Sequence, residues 1–173
     1  DVVKSRYSSF EEVTDYCKNS ADPVGRLVLM IFGSHDEKLY RYSDKICTAL
    51  QLTNFWQDVE VDLQKDRVYL PEEDLAHFGY SYDDLFEKKY DEKFVKLMEF
   101  EVARTKDLFD QGKKLIELAS KDSRLKRLGE HVKLTWLGGT AILKKLKDIK
   151  YDVFNKRPEV STFDKIKIFA KSR

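Results

Sequence analysis

Residues 46–63 constrain this chain more than any other stretch: Ile-Cys-Thr-Ala-Leu-Gln-Leu-Thr-Asn-Phe-Trp-Gln-Asp-Val-Glu-Val-Asp-Leu. Wound as a helix, Gln51, Asn54, Asp58 and Asp62 fall within an arc of about 80°. Asp58 and Asp62 lie four apart, one turn from each other on the same face. Ile46, Ala49, Leu50, Leu52, Trp56, Val59, Val61 and Leu63 cover the remaining sides. A helix apolar nearly all round belongs in an interior, and its one polar line then faces a cavity.

The rest of the chain carries the same period, with little strand-type alternation. Ser9 before Phe10, Glu11 and Glu12 caps a first helix through Tyr16 and Cys17. Pro23 interrupts it by removing a backbone donor, and 24–32 continues it. Residues 33–36 read as a turn, and the next helix is expected over 39–65. Pro71 opens a short helix that Gly79 closes, and Ser81 caps another. A long amphipathic helix is predicted over 91–119, with Phe94, Leu97, Met98, Val102, Leu108, Phe109, Leu115 and Leu118 on one stripe. Another spans 123–147, where Gly138 and Gly139 permit close helix approach or leave room for a ligand. A last one runs to Ala170, capped by Thr162. The expectation is an all-α fold in a single domain, 1–173, with no repeat and no linker.

Composition narrows the function classes. Charged residues make up 36% of the chain, yet the formal net charge is only +1. That balance gives no long-range field to gather nucleic acid. No run approaches the ~20 apolar residues of a membrane span. Cys17 and Cys47 have no metal-ligand spacing and read as buried free thiols of a reducing, cytoplasmic setting. His35, His77 and His131 sit in dissimilar contexts and receive no catalytic role. Lys144, Lys145 and Lys147 form a solvated face, or a peripheral membrane contact.

Two aspartates one turn apart repel each other and, in an apolar wall, need something positive nearby. Oxygen donors without His or Cys suit Mg²⁺, which takes one or two carboxylates and completes its shell with water and substrate phosphates. The spacing alone equally allows a solvated pair near the helix end, bound to Lys65 and Arg67. Arg67 offers a planar fork for phosphate oxygens, or an ion pair with Glu60 or Asp66.

The residues Gln51, Asn54, Asp58 and Asp62, followed by Arg67, Tyr69 and Pro71, resemble the second aspartate-rich motif of the squalene/phytoene synthase family, Q-x-x-N-x-x-x-D-x-x-x-D then R-x-Y-x-P. Tyr16, Cys17, Ala21, Val24 and Gly25 resemble its Y-C-x-x-x-A-x-x-V-G motif, and Tyr151, Arg157, Pro158 and Ser161 its usual ending. Three ordered motifs cover essentially the whole chain. The resemblance implies an isoprenoid synthase-type helical bundle around a cavity, Mg²⁺ held by Asp58, Asp62 and Asn54, and an isoprenoid diphosphate substrate, presqualene or farnesyl diphosphate. It implies substrate contacts from Gln51, Asn54, Phe55, Arg67 and Tyr69. Tyr16, Ser20 and Ala21 would line the cavity from the facing helix, with Tyr16 assisting proton or cation chemistry and Gly25 allowing close approach. Partners among enzymes of the same pathway are also implied.

Within the family, the segment is similar to the bacterial hopanoid-pathway branch, the hydroxysqualene synthases, which ionise presqualene diphosphate and capture the cation with water. Gln57 departs from the Arg that many family members carry there, which is expected to weaken one diphosphate contact. The family's first aspartate-rich motif has no counterpart in these 173 residues. An upstream portion bearing it is expected, and the 173-residue segment alone is expected to be inactive.

Overall fold

The computed structural model describes residues 4–172. Among these residues ten helices follow in order: α1 (Phe10–Ser20), α2 (Asp22–Ile31), α3 (Glu37–Gln57), α4 (Val59–Leu63), α5 (Glu72–His77), α6 (Tyr82–Phe86), α7 (Glu92–Gly112), α8 (Lys114–Ala119), α9 (Lys126–Asp148) and α10 (Thr162–Ser172). Among the described residues there is no strand. The helix that carries the polar ridge is the hub: α3 packs against α1, α2, α7, α8 and α9. Leu52 and Trp56 are fully buried there. The Trp56 indole N–H donates to Thr105 Oγ1 at 2.7 Å, satisfying the one polar atom it carries into the core and pinning α3 to α7.

Helix ends follow local chemistry. Ser9 caps α1 through the Glu12 amide, and Ser81 forms a full capping box with Asp84 at α6. The first break falls at Ala21, two residues ahead of Pro23, because proline is harmless within a first turn and the helix restarts at Asp22. Ser161, not Thr162, caps α10: its hydroxyl accepts from the Asp164 amide, and the Asp164 carboxylate accepts from Ser161 N–H. The helix expected over 91–119 divides at Lys113. The one expected from 123 begins at Lys126, because the Asp122 carboxylate holds the Arg124 amide in a turn.

Close packing fixes the glycines. A Cβ on Gly25 would lie 2.3 Å from Ser43 Oγ and 2.6 Å from Cys47 Sγ, so its absence lets α2 approach α3. The Gly138–Gly139 pair separates cleanly. A Cβ at Gly139 would meet buried Phe109 Cζ at 2.4 Å, whereas one at Gly138 meets nothing within 4 Å. Gly139→Ala is therefore expected to cost about 1–3 kcal/mol through overlap, and Gly138→Ala to gain about 0.5–1 kcal/mol through helix propensity. Urea melts of the two variants should move in opposite directions.

Candidate active site

The polar ridge survives as expected in direction but not as one helix. The helix predicted over 39–65 breaks at Asp58, whose φ of −107° and ψ of 18° leave the helical region. The i→i−4 bonds nevertheless carry across: Asp58 N–H donates to Asn54 O at 2.9 Å and Asp62 N–H to Asp58 O at 2.8 Å. Register is thus kept, and Gln51, Asn54, Asp58 and Asp62 remain on one line. Gln51, Asp58 and Asp62 are half-buried and Asn54 is exposed.

After α4 the chain reverses. Asp66 takes a positive φ of 56°, and Arg67 N–H returns to Asp62 O at 2.9 Å. Arg6 binds the Asp66 carboxylate and carbonyl, and Glu60 accepts from Lys88 and Gln64. The returning segment 68–73 then pairs with 5–8: Val68 N–H donates to Ser5 O, Glu72 N–H to Tyr7 O and Glu73 N–H to Ser8 O. That pairing delivers Tyr7 to the site, a residue the sequence reading missed.

Four rings from four segments meet beside the ridge. Phe55 and Tyr69 stack at 3.7 Å between centroids, with 4° between planes. Tyr7 lies 5.6 Å from Tyr69, and Tyr16 lies 6.0 Å from Tyr7, 6.0 Å from Tyr69 and 6.1 Å from Phe55. Phe55, Tyr69, Asp62 and Arg67 share the lining of a small recess. Burial foremost, then the neighbouring Tyr16, pushes the Tyr7 and Tyr69 hydroxyls up to about 12. Both remain proton donors at neutral pH. The Tyr7 hydroxyl is buried with no hydrogen-bond partner among the described residues.

The two carboxylates differ. Asp62 is raised, first by desolvation and then by the Asp58 charge, and only partly relieved by Lys65 and Arg67. Asp58 is paired with Arg157. Arg157 grips it in a fork, Nε to Oδ1 at 2.7 Å and Nη2 to Oδ2 at 3.2 Å, while Nη1 reaches Glu159 at 2.5 Å. Gln57 is buried and donates to Pro158 O at 2.6 Å. Its carboxamide fastens the C-terminal segment. A contact spanning about a hundred positions leaves no local signal for Arg157.

Other expected contributors are less central. Ser20 is exposed, its hydroxyl donates back to Tyr16 O at 2.9 Å within its own helix, and it does not line the recess that holds Asp62 and Arg67. Ala21 is half-buried at the α1–α2 break. Gly25 borders a separate apolar groove of about 280 Å³ with Val24, Val28, Cys47, Leu50 and Val132. All three histidines are exposed, Cys17 is buried, Cys47 is half-buried, and both thiols are free.

Among the described residues no three His, Cys, Asp or Glu side chains cluster for a metal. Asp58 and Asp62, with Asn54 beside them, still fit Mg²⁺. They are hard oxygen donors, Asp62 is short of positive charge, and Mg²⁺ needs only one or two carboxylates when phosphate oxygens complete its shell.

Helices packed around a central apolar α3, with an acidic ridge and an aromatic box at its end, define an all-α isoprenoid synthase fold. Comparison with known proteins agrees. A squalene/phytoene synthase family model matches residues 1–164. The 15-cis-phytoene synthase of Synechococcus elongatus is 32% identical over 96% of this chain and 56% of its own length. The crystal structure of squalene synthase HpnC from Alicyclobacillus acidocaldarius superposes with a TM-score of 0.82 at 42% identity, covering 87% of this chain and 56% of that one. A dehydrosqualene synthase structure, 21% identical with a TM-score of 0.77, shares the fold over 98% of this chain and 58% of its own. The chain belongs to the squalene/phytoene synthase family, a family of prenyl-transferring enzymes. It spans about half the length of the curated relatives it matches.

Proposed function

We propose that this chain is the C-terminal part of one catalytic domain that ionises presqualene diphosphate with Mg²⁺ and captures the rearranged cation with water, giving hydroxysqualene. The observation that carries the reading is the acidic ridge of Asp58 and Asp62 lying beside the box of Tyr7, Tyr16, Phe55 and Tyr69. Mg²⁺ bound at the ridge supplies positive charge to the departing diphosphate. Asp58 and Asp62, with Asn54, would hold that charge. Arg67 presents its fork to diphosphate oxygens, with Gln51 close by on the ridge. As the C–O bond breaks, the face that Phe55 turns away from Tyr69 stabilises the carbocation. The Tyr16 hydroxyl orients the incoming water or takes part in its proton loss. The apolar groove at Gly25 accommodates isoprenoid chain.

Head-to-head condensation of farnesyl diphosphate is the second reading, favoured by the likeness to a phytoene synthase and a squalene synthase. Incubating the full-length protein with Mg²⁺ and each diphosphate separately, then identifying products by mass spectrometry, decides. Hydroxysqualene from presqualene diphosphate alone supports the first reading. Product from farnesyl diphosphate supports the second, and no product from either overturns both.

Arg157 and a metal compete for the Asp58 carboxylate. An exposed pair of this kind is worth up to about 1 kcal/mol, roughly a fivefold change in affinity. Arg157→Gln is therefore expected to tighten Mg²⁺ binding severalfold in a calorimetric titration of the full-length protein without substrate. The proposed setting is the cytoplasmic side of a membrane that receives the apolar product, near other enzymes of the pathway. No helix among the described residues is long and apolar enough to cross a membrane.

A further inference from the structure

We propose that α10 seats this protein on an anionic lipid bilayer, with Phe163, Ile166 and Phe169 in the headgroup–acyl boundary and Lys165 and Lys167 against acidic headgroups. The helix is turned the wrong way for a globular surface. Its polar side faces inward: Asp164 pairs with Lys145 of α9 at 2.8 Å. Asp164, Lys167, Ile168 and Lys171 share a groove with Leu137 and Ala141 of α9, and the Lys167 ammonium at its rim lies 4.3 Å from the Phe163 ring centroid. Phe163, Ile166 and Phe169 point the other way and are 64%, 63% and 52% exposed. On a helical projection these three span an arc of about 120°, with Lys165 beyond one edge and Lys167 beyond the other. A surface helix normally buries its apolar stripe, so an outward stripe marks a contact surface.

Charge selects the partner. An apolar face flanked by lysines is the composition of helices that lie in a membrane interface. Exposed Lys144 and Lys147 of α9 add to the same end of the chain, although the whole sequence is only +1. Two-fold pairing of α10 with a second copy would bring like-charged lysine flanks together, which opposes that occupant. The family match ends at residue 164, so most of the helix lies outside it. Of the lysines expected from sequence to form a solvated face or a membrane contact, Lys144 and Lys147 are exposed, Lys144 beside Asp148, and Lys145 is paired with Asp164. The inference deepens the membrane-side reading above and is independent of which diphosphate is the substrate.

The test is co-sedimentation of the full-length protein with vesicles of phosphatidylcholine, with and without phosphatidylglycerol. Binding to the acidic vesicles is expected to exceed binding to the neutral ones by about tenfold and to weaken with salt. Two variants, Phe163→Ser with Ile166→Ser and Phe169→Ser, and Lys165→Glu with Lys167→Glu, are each expected to lose that preference. Both should keep the wild-type melting temperature and turnover of detergent-dispersed substrate. Equal binding to both vesicle types, or none, overturns the proposal. So does a serine variant that melts lower yet still binds acidic vesicles, which would mean another segment of the protein covers the face. A serine variant that only changes oligomeric state in light scattering assigns the face to a second copy and overturns it too. Turnover in detergent reports separately on the proposed reaction.

Discussion

Asp62→Asn in the full-length protein is expected to lower turnover by about 10³-fold or more, because a metal's share of leaving-group stabilisation is several kcal/mol and each 1.36 kcal/mol is about tenfold. The same change should leave the fold as stable as before, or more stable. Asp62 is raised above the ordinary carboxylate value by desolvation and by Asp58. A group that binds its proton more tightly when folded makes the folded state lose stability as pH climbs from the unfolded pKa through the raised one. Above that window the ionised carboxylate is a standing cost, which Asn removes. Melting curves of wild type and variant should therefore converge in acid and, at neutral pH, either coincide or favour the variant. A large drop in melting temperature at pH 7 would mean that Asp62 is a structural residue.

Arg104→Ala is expected to be the most damaging change away from the ridge. Arg104 donates to Glu101 at 2.7 and 2.5 Å and to Asp74 at 2.6 Å. Its guanidinium lies 3.5 Å from the centroid of Phe10 and 4.9 Å from that of Phe100. The Glu101 side chain is 0% exposed. Burial drives its carboxyl strongly upward, and Arg104 is what opposes this. Removing the cation leaves two buried acids facing each other, a loss of about 3–5 kcal/mol. For a chain of this size that is a melting temperature lower by about 10 °C. The acids in the variant hold their protons more tightly folded than unfolded, so the deficit should shrink as pH falls. Arg104→Met combined with Glu101→Gln and Asp74→Asn should recover most of the loss. Failure of that combination would assign the cost to the contacts with Phe10 and Phe100 instead.

The sequence carried the helical plan because periodicity is local: residues four apart share a face whatever surrounds them. Asp58 and Asp62 on one line with Gln51 and Asn54, and the Ser9 and Ser81 caps, follow from that rule. The break at Asp58 did not, since the pattern of side chains runs through it unchanged. Tyr7, Arg157 and the role of Gln57 were illegible for a different reason. Each depends on a contact with a residue about sixty or a hundred positions away, Tyr7 through segment 68–73, Arg157 through Asp58, and Gln57 through Pro158. Gln57 entered the sequence reading only as the loss of an Arg, whereas burial and a single backbone carbonyl give it a fastening role.

Crystals of the full-length protein grown with Mn²⁺ and a non-reacting diphosphate analogue put the acidic ridge to the most direct test. Anomalous density should appear bonded to carboxylate oxygens of both Asp58 and Asp62 at roughly 2.1 Å, bridging to the diphosphate, with Arg157 released from Asp58. Metal and diphosphate bound elsewhere, with Arg157 still holding Asp58 and Asp62 touching neither, would contradict it.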